Sequence, residues 1–147
     1  MPTNPYSNYL EATILSADPI ELVRILYRTA IDSVRDARGS LAAHDVAGRT
    51  RAINKAVAAL RELSFCLNHD ANPDLARRLT ELYDFMQRQL LTAHFEQTDG
   101  PLAEVVRLLE NISEAWEKVE VAKASDWAAD YSNDYSNDHA ELAAAEL

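Results

Sequence analysis

The sequence predicts an all-α fold, an antiparallel up-down four-helix bundle, on three observations. Apolar residues recur in alternating steps of three and four through four separate stretches. Glycine and proline are scarce, 3 and 5 among 147 residues, which disfavours a turn-rich β design. The rest is rich in Ala, Leu, Glu and Arg, which are strong helix formers.

Ahead of the first stretch stands a tyrosine-bearing segment, Asn4-Pro5-Tyr6-Ser7-Asn8-Tyr9, within residues 1–17. Four amphipathic helices can enclose a core without it, so it needs a surface to lie on. The bundle itself is expected over residues 18–122. Its first helix should start at Asp18, a capping residue, with Pro19 in the first helical position and Glu21 completing a capping-box-like arrangement. Val23, Tyr27, Ala30, Val34, Ala37 and Leu41 form its stripe, widened by Leu22, Leu26 and Ile31. Gly39 and His44-Asp45 suggest its end and the next turn.

The second helix carries Ile53, Ala56, Leu60, Leu63 and Leu67, joined by Val57 and Phe65. Asn68-His69-Asp70-Ala71 reads as a connection, after which Asn72 can cap a third helix with Pro73 in its first position. That helix presents Leu75, Leu79, Leu82, Met86 and Leu90, with Tyr83 alongside. Thr98-Asp99-Gly100-Pro101 interrupts the pattern. The fourth helix comes next, with Leu102, Val105, Leu109, Ile112, Trp116 and Val119. Short connections between helices of similar length favour antiparallel neighbours.

Residues 123–147 differ in character. They carry six acidic side chains against Lys123, and Asp130-Tyr131-Ser132-Asn133 is repeated at once as Asp134-Tyr135-Ser136-Asn137. Such an acidic, turn-prone, aliphatic-poor stretch is expected to be a flexible tail. Trp127 has no predicted place in the bundle.

Composition excludes several functions. The net charge of −10 repels phosphate backbones, so no nucleic-acid partner is expected. No apolar run reaches membrane-spanning length, and no basic-then-apolar leader opens the chain, so a cytoplasmic protein without membrane insertion is expected. Cys66 stands alone, which suits a reducing compartment. Arg24, Arg28, Arg35 and Arg38 lie at helical spacing and read as a solvated face paired with Asp32 and Asp36.

A catalytic reading finds no support. The three glycines are too far apart for a phosphate loop, and His44, His69, His94 and His139 form no ligand pair, so no metal or cofactor is expected. Cys66 lies beside an apolar stripe without an adjacent His, as a structural thiol does. Asp84, between Tyr83 and Phe85, reads as an anchor for a neighbouring helix or backbone amide. The chain is therefore read as a non-enzyme.

Through nearly all of residues 4–120 the chain resembles the flagellin-specific export chaperones, the FliS family. The residues that carry the likeness are Asn4-Pro5-Tyr6 and Tyr9, then Ala17-Asp18-Pro19 with Glu21-Leu22 and Leu26-Tyr27. Glu62-Leu63-Ser64-Phe65-Cys66-Leu67-Asn68, Leu82-Tyr83-Asp84-Phe85-Met86 with Arg88 and Leu90-Leu91, and Ala115-Trp116-Glu117-Lys118 complete it. Where the family commonly shows two successive arginines, this chain has Arg88-Gln89, and residues 123–147 extend beyond the usual length.

The resemblance implies a cytoplasmic bundle with a short N-terminal helical cap that binds the disordered C-terminal segment of flagellin. Binding would prevent premature polymerisation and assist delivery to the flagellar type III export gate. Tyr6 and Tyr9 would cap the apolar groove, and Tyr9 would also contribute to docking on the export gate protein. The outward parts of the first three stripes, Leu22, Ile25, Leu26, Ile53, Val57, Leu60, Leu63 and Tyr83, are the candidate groove lining. The alternative from the structural class is a helical adaptor with no flagellin specificity that self-associates, as a weak homodimer, through the same grooves.

Overall fold

The computed structural model describes residues 19–118. They form four helices, α1 (Pro19–Ala42), α2 (Val46–Phe65), α3 (Pro73–Glu96) and α4 (Gly100–Glu117). Packing runs α1 to α2 to α3 to α4 and back to α1, an antiparallel four-helix bundle. The cap segment with Tyr6 and Tyr9, the Asp18 cap, Val119 and the acidic tail all lie outside the described residues.

The four inward stripes close on one core. Leu26, Tyr27, Ala30, Val34, Ala56, Leu60, Met86, Leu90, Leu102 and Leu109 have no exposed surface in it, and Tyr83 and Trp116 are almost as enclosed. Four stripe members, Leu41, Leu75, Leu82 and Ile112, are only partly covered. Phe65, expected to join the α2 stripe, is 67% exposed. The reason is angular, because two residues beyond Leu63 a helix has turned about 200°.

The connection between α1 and α2 is shorter than Gly39 suggests. Gly39 lies inside α1, which continues to Ala42, and His44 makes the turn at φ 56 in the left-handed region. Asp45 then caps α2, its carboxylate accepting from the Gly48 amide at 2.9 Å. A Cβ at Gly48 would lie 2.3 Å from that carboxylate and 2.8 Å from the Ser40 hydroxyl, so a side chain there would displace the Asp45 cap. Beyond it α1 and α2 pack more closely than any other pair, helped by buried Ala30, Ala37, Ala52, Ala56 and Ala59.

Asn72 and Pro73 start α3 as expected, the Asn72 side chain accepting from the Leu75 amide at 3.2 Å. Gln97 ends α3 in the left-handed region, and Pro101 lies in the first turn of α4. Asp99 precedes α4 but makes no capping bond. Its carboxylate is engaged by Arg38 instead, at 2.8 and 2.9 Å.

Candidate functional site

Of the eight residues expected to line a groove, Leu22, Leu26, Ile53, Leu60, Leu63 and Tyr83 are buried in the core. Only Ile25 and Val57 keep part of their surface. The large apolar side chains in water are others: Val46, Phe65, Leu91 and Phe95, at 57%, 67%, 48% and 79% exposure. All four belong to α2 and α3.

Antiparallel pairing sets their places. Val46 opens α2, and Leu91 and Phe95 share one face in the last turns of α3, so these three lie towards the same end of the bundle. Phe65 stands at the other end of α2, about 28 Å away along the helix at 1.5 Å per residue. A signal for Leu91 and Phe95 existed in the sequence. They form an apolar i,i+4 pair one residue out of phase with the core stripe of Leu79, Met86 and Leu90.

Near the first group Arg49 is only 4% exposed, and its Nε donates to His94 Nδ1 at 3.3 Å. Phe95 meets the His94 ring edge to face, with centroids 5.9 Å apart. At this end α2 and α3 are joined by a polar contact that leaves the apolar groups outside it uncovered.

Across the core, Tyr27 of α1 and Tyr83 of α3 share a buried hydroxyl–hydroxyl hydrogen bond, their rings in edge contact at 6.4 Å. Burial raises Tyr27 well above the usual tyrosine range, with Tyr83 adding to it, and pushes Tyr83 up to about 12. Cys66 is buried too. Burial first, then the Glu62 carboxylate, push its thiol up to about 12. A thiol so far from ionisation is no nucleophile at neutral pH. Asp84, expected as an anchor, is exposed and faces solvent.

The α1–α4 seam is built from charge. Arg35 pairs with Glu110 and Arg38 forks onto Asp99, so these arginines engage α4 and its entry rather than Asp32 and Asp36. The reason is reach, since the arginine face of α1 lies against its neighbour. The Arg38 hydrogen bond holds the Asp99 carboxyl below the usual range. Beside these pairs an open cleft of about 180 Å³ lies between α1 and α4. Gln89, where the resemblance called for arginine, donates to Glu104 at 2.9 Å and ties α3 to α4.

Among the described residues no three His, Cys, Asp or Glu side chains are placed to hold a metal ion. No described helix is long and apolar enough to cross a membrane.

Comparison with known proteins gives a consistent result. The family profile described as "Flagellar protein FliS" matches residues 2–124. The chain is 33% identical over 111 residues to the flagellar secretion chaperone FliS of Salmonella typhimurium, covering 75% of this chain and 82% of that one. It is 29% identical over 123 residues to the flagellar secretion chaperone FliS of Bacillus subtilis, covering 84% and 91%. With the FliS of Vibrio cholerae the identity is 24% over 110 residues, covering 75% and 81%.

Proposed function

Because this chain belongs to the FliS family of flagellar proteins, we propose that it is a cytoplasmic export chaperone for flagellin. It binds the disordered C-terminal segment of flagellin, prevents premature polymerisation and assists delivery to the flagellar export gate. One observation carries the reading beyond family membership: every strongly exposed large apolar side chain among the described residues lies on α2 or α3.

Solvating such groups is unfavourable, and their concentration on two adjacent helices suits a partner surface. Their spread suits a long segment. A ligand that touches both Phe65 and Phe95 must run about 28 Å along α2, some 19 residues if helical. A flagellin tail with heptad-like apolar residues can lie along those helices and fold there, as amphipathic segments do in grooves. Ordering such a segment requires a contact on the order of 1,000–3,000 Å². Ile25 and Val57 belong to the proposed lining. Leu22, Leu26, Ile53, Leu60, Leu63 and Tyr83 support it from beneath and meet the partner only if a helix is displaced.

Calorimetry with full-length flagellin and with flagellin lacking its C-terminal segment tests the reading. The expected result is a one-to-one complex with the first and no heat of binding with the second. Equal binding of both, or of neither, overturns it. Tyr6 and Tyr9 are proposed to cap the groove, with Tyr9 also contacting the export gate protein. Replacing both with Ala is expected to change flagellin affinity while the helical circular dichroism stays that of the parent. An unfolded double variant would place the segment in the core.

A further inference from the structure

Residues beyond 124 lie outside the family match and carry a feature the chaperone reading does not use. Asp126-Trp127, Asp130-Tyr131, Asp134-Tyr135 and Asp138-His139 set a carboxylate beside an aromatic ring at every fourth residue. A guanidinium suits that pairing, because it takes a carboxylate at its edge and an aromatic ring on its face.

The bundle offers guanidiniums where this segment departs. α4 ends at Glu117, which itself lines the α1–α4 cleft. Arg24, Arg28 and Arg35 line the same cleft. Arg35 is taken by Glu110, but among the described residues neither Arg24 nor Arg28 has a carboxylate within salt-bridge distance. Asp32 and Glu117 are present and stand outside that distance. Arg24 and Arg28 are one turn apart on one face of α1, about 6 Å along the axis.

We propose that the Asp–aromatic repeat of residues 126–139 folds back onto the α1–α4 cleft and docks on Arg24 and Arg28. Residues 123–147 carry six acidic groups against one lysine, a net charge of −5 opposite the two arginines. The seven residues from 119 to 125 span up to about 25 Å when extended, enough to turn back over the cleft. Tethering supplies an effective concentration on the order of millimolar, so contacts too weak to hold a separate peptide suffice. The docked segment covers the seam opposite the α2–α3 side and leaves that side open.

Paramagnetic broadening in the full-length chain tests this. A nitroxide on Ser136→Cys reports on the repeat, and buried Cys66 stays unlabelled. The expected result is selective broadening of amides near residues 24–28 and 113–117. It falls to the level of the α2–α3 side when Arg24→Glu and Arg28→Glu are combined, and when ionic strength is raised. Asp130→Lys with Asp134→Lys, which leaves the bundle sequence untouched, is expected to abolish it as well, and combining both reversals to restore it. Broadening spread evenly over the bundle, concentrated on α2 and α3, or unchanged by the tail reversal overturns the proposal. None of these readouts involves flagellin, so the docking and the chaperone reading stand or fall separately.

Discussion

Where α1 meets α4, Arg35 reaches Glu110 and Arg38 forks onto Asp99; between α2 and α3, Arg49 bonds His94, and on these two helices Val46, Phe65, Leu91 and Phe95 stand in water. Both sides rest on one core. A bundle's stability requires inward stripes of apolar residues and says little about its outer faces. Ion pairs across α1 and α4 are a common surface finish. Two exposed phenylalanines with a leucine and a valine are not explained by stability, which is why the α2–α3 side is the one assigned to a partner.

Removing what the two sides share is the most severe test of this contrast. Tyr83→Ala empties a fully buried site that reaches Tyr27 on the opposite helix, and is expected to cost about 3–5 kcal/mol. Chemical denaturation measures it. Tyr83→Phe keeps the ring and leaves the Tyr27 hydroxyl unpaired, for about 1–3 kcal/mol. A loss under about 1 kcal/mol for Tyr83→Ala would show that the two sides do not depend on one core.

A milder pair of substitutions separates the sides. Phe65→Ser combined with Phe95→Ser is expected to leave stability within about 0.5 kcal/mol of the parent, because both rings are exposed. Flagellin affinity is expected to fall about 100-fold, on about 1.5 kcal/mol for each ring the partner would bury. Denaturation reads the first and calorimetry the second. If affinity is unchanged, the exposed side is not the docking side.

At the seam the change should be slight. Arg38→Ala is expected to cost no more than about 1 kcal/mol, because both partners are substantially exposed, and less at high salt. Asp99 sets the sign with pH. Its carboxyl is lowered in the folded protein, so the contribution is present above the ordinary carboxylate range and is lost as pH falls through the lowered value. Arg38 is shifted upward and stays charged throughout that range. Thermal melts of parent and variant should therefore converge in acid; a constant gap would show that the pair does not act through charge.

The helices were legible because each repeats one apolar period long enough to outweigh local irregularities. Asn72-Pro73 and Gly100-Pro101 marked two starts correctly, since capping and proline act within a few residues. Gly39 misled for the converse reason. A glycine is tolerated inside a helix at modest cost, and whether it ends one depends on the residues after it, here the left-handed His44 and the Asp45 cap.

The site was less legible. A groove lining read from apolar stripes records only that one face of each helix is apolar. Six of the eight lining residues point into the core, while Phe65, Leu91 and Phe95 lie off the stripes and reach the surface. The arginines of α1 show the same limit: sequence spacing suggests Asp32 and Asp36 as partners, but Arg35 and Arg38 engage Glu110 and Asp99, 75 and 61 residues away.

Read alone, the sequence specified the helix number, the antiparallel order, the inward stripes and the family resemblance. All of these depend on periodicity and short-range chemistry along one chain. Which apolar groups remain in water and which charges pair were settled only by tertiary structure. Each of those outcomes depends on the rotation of one helix about its axis relative to another, and no local pattern contains that angle.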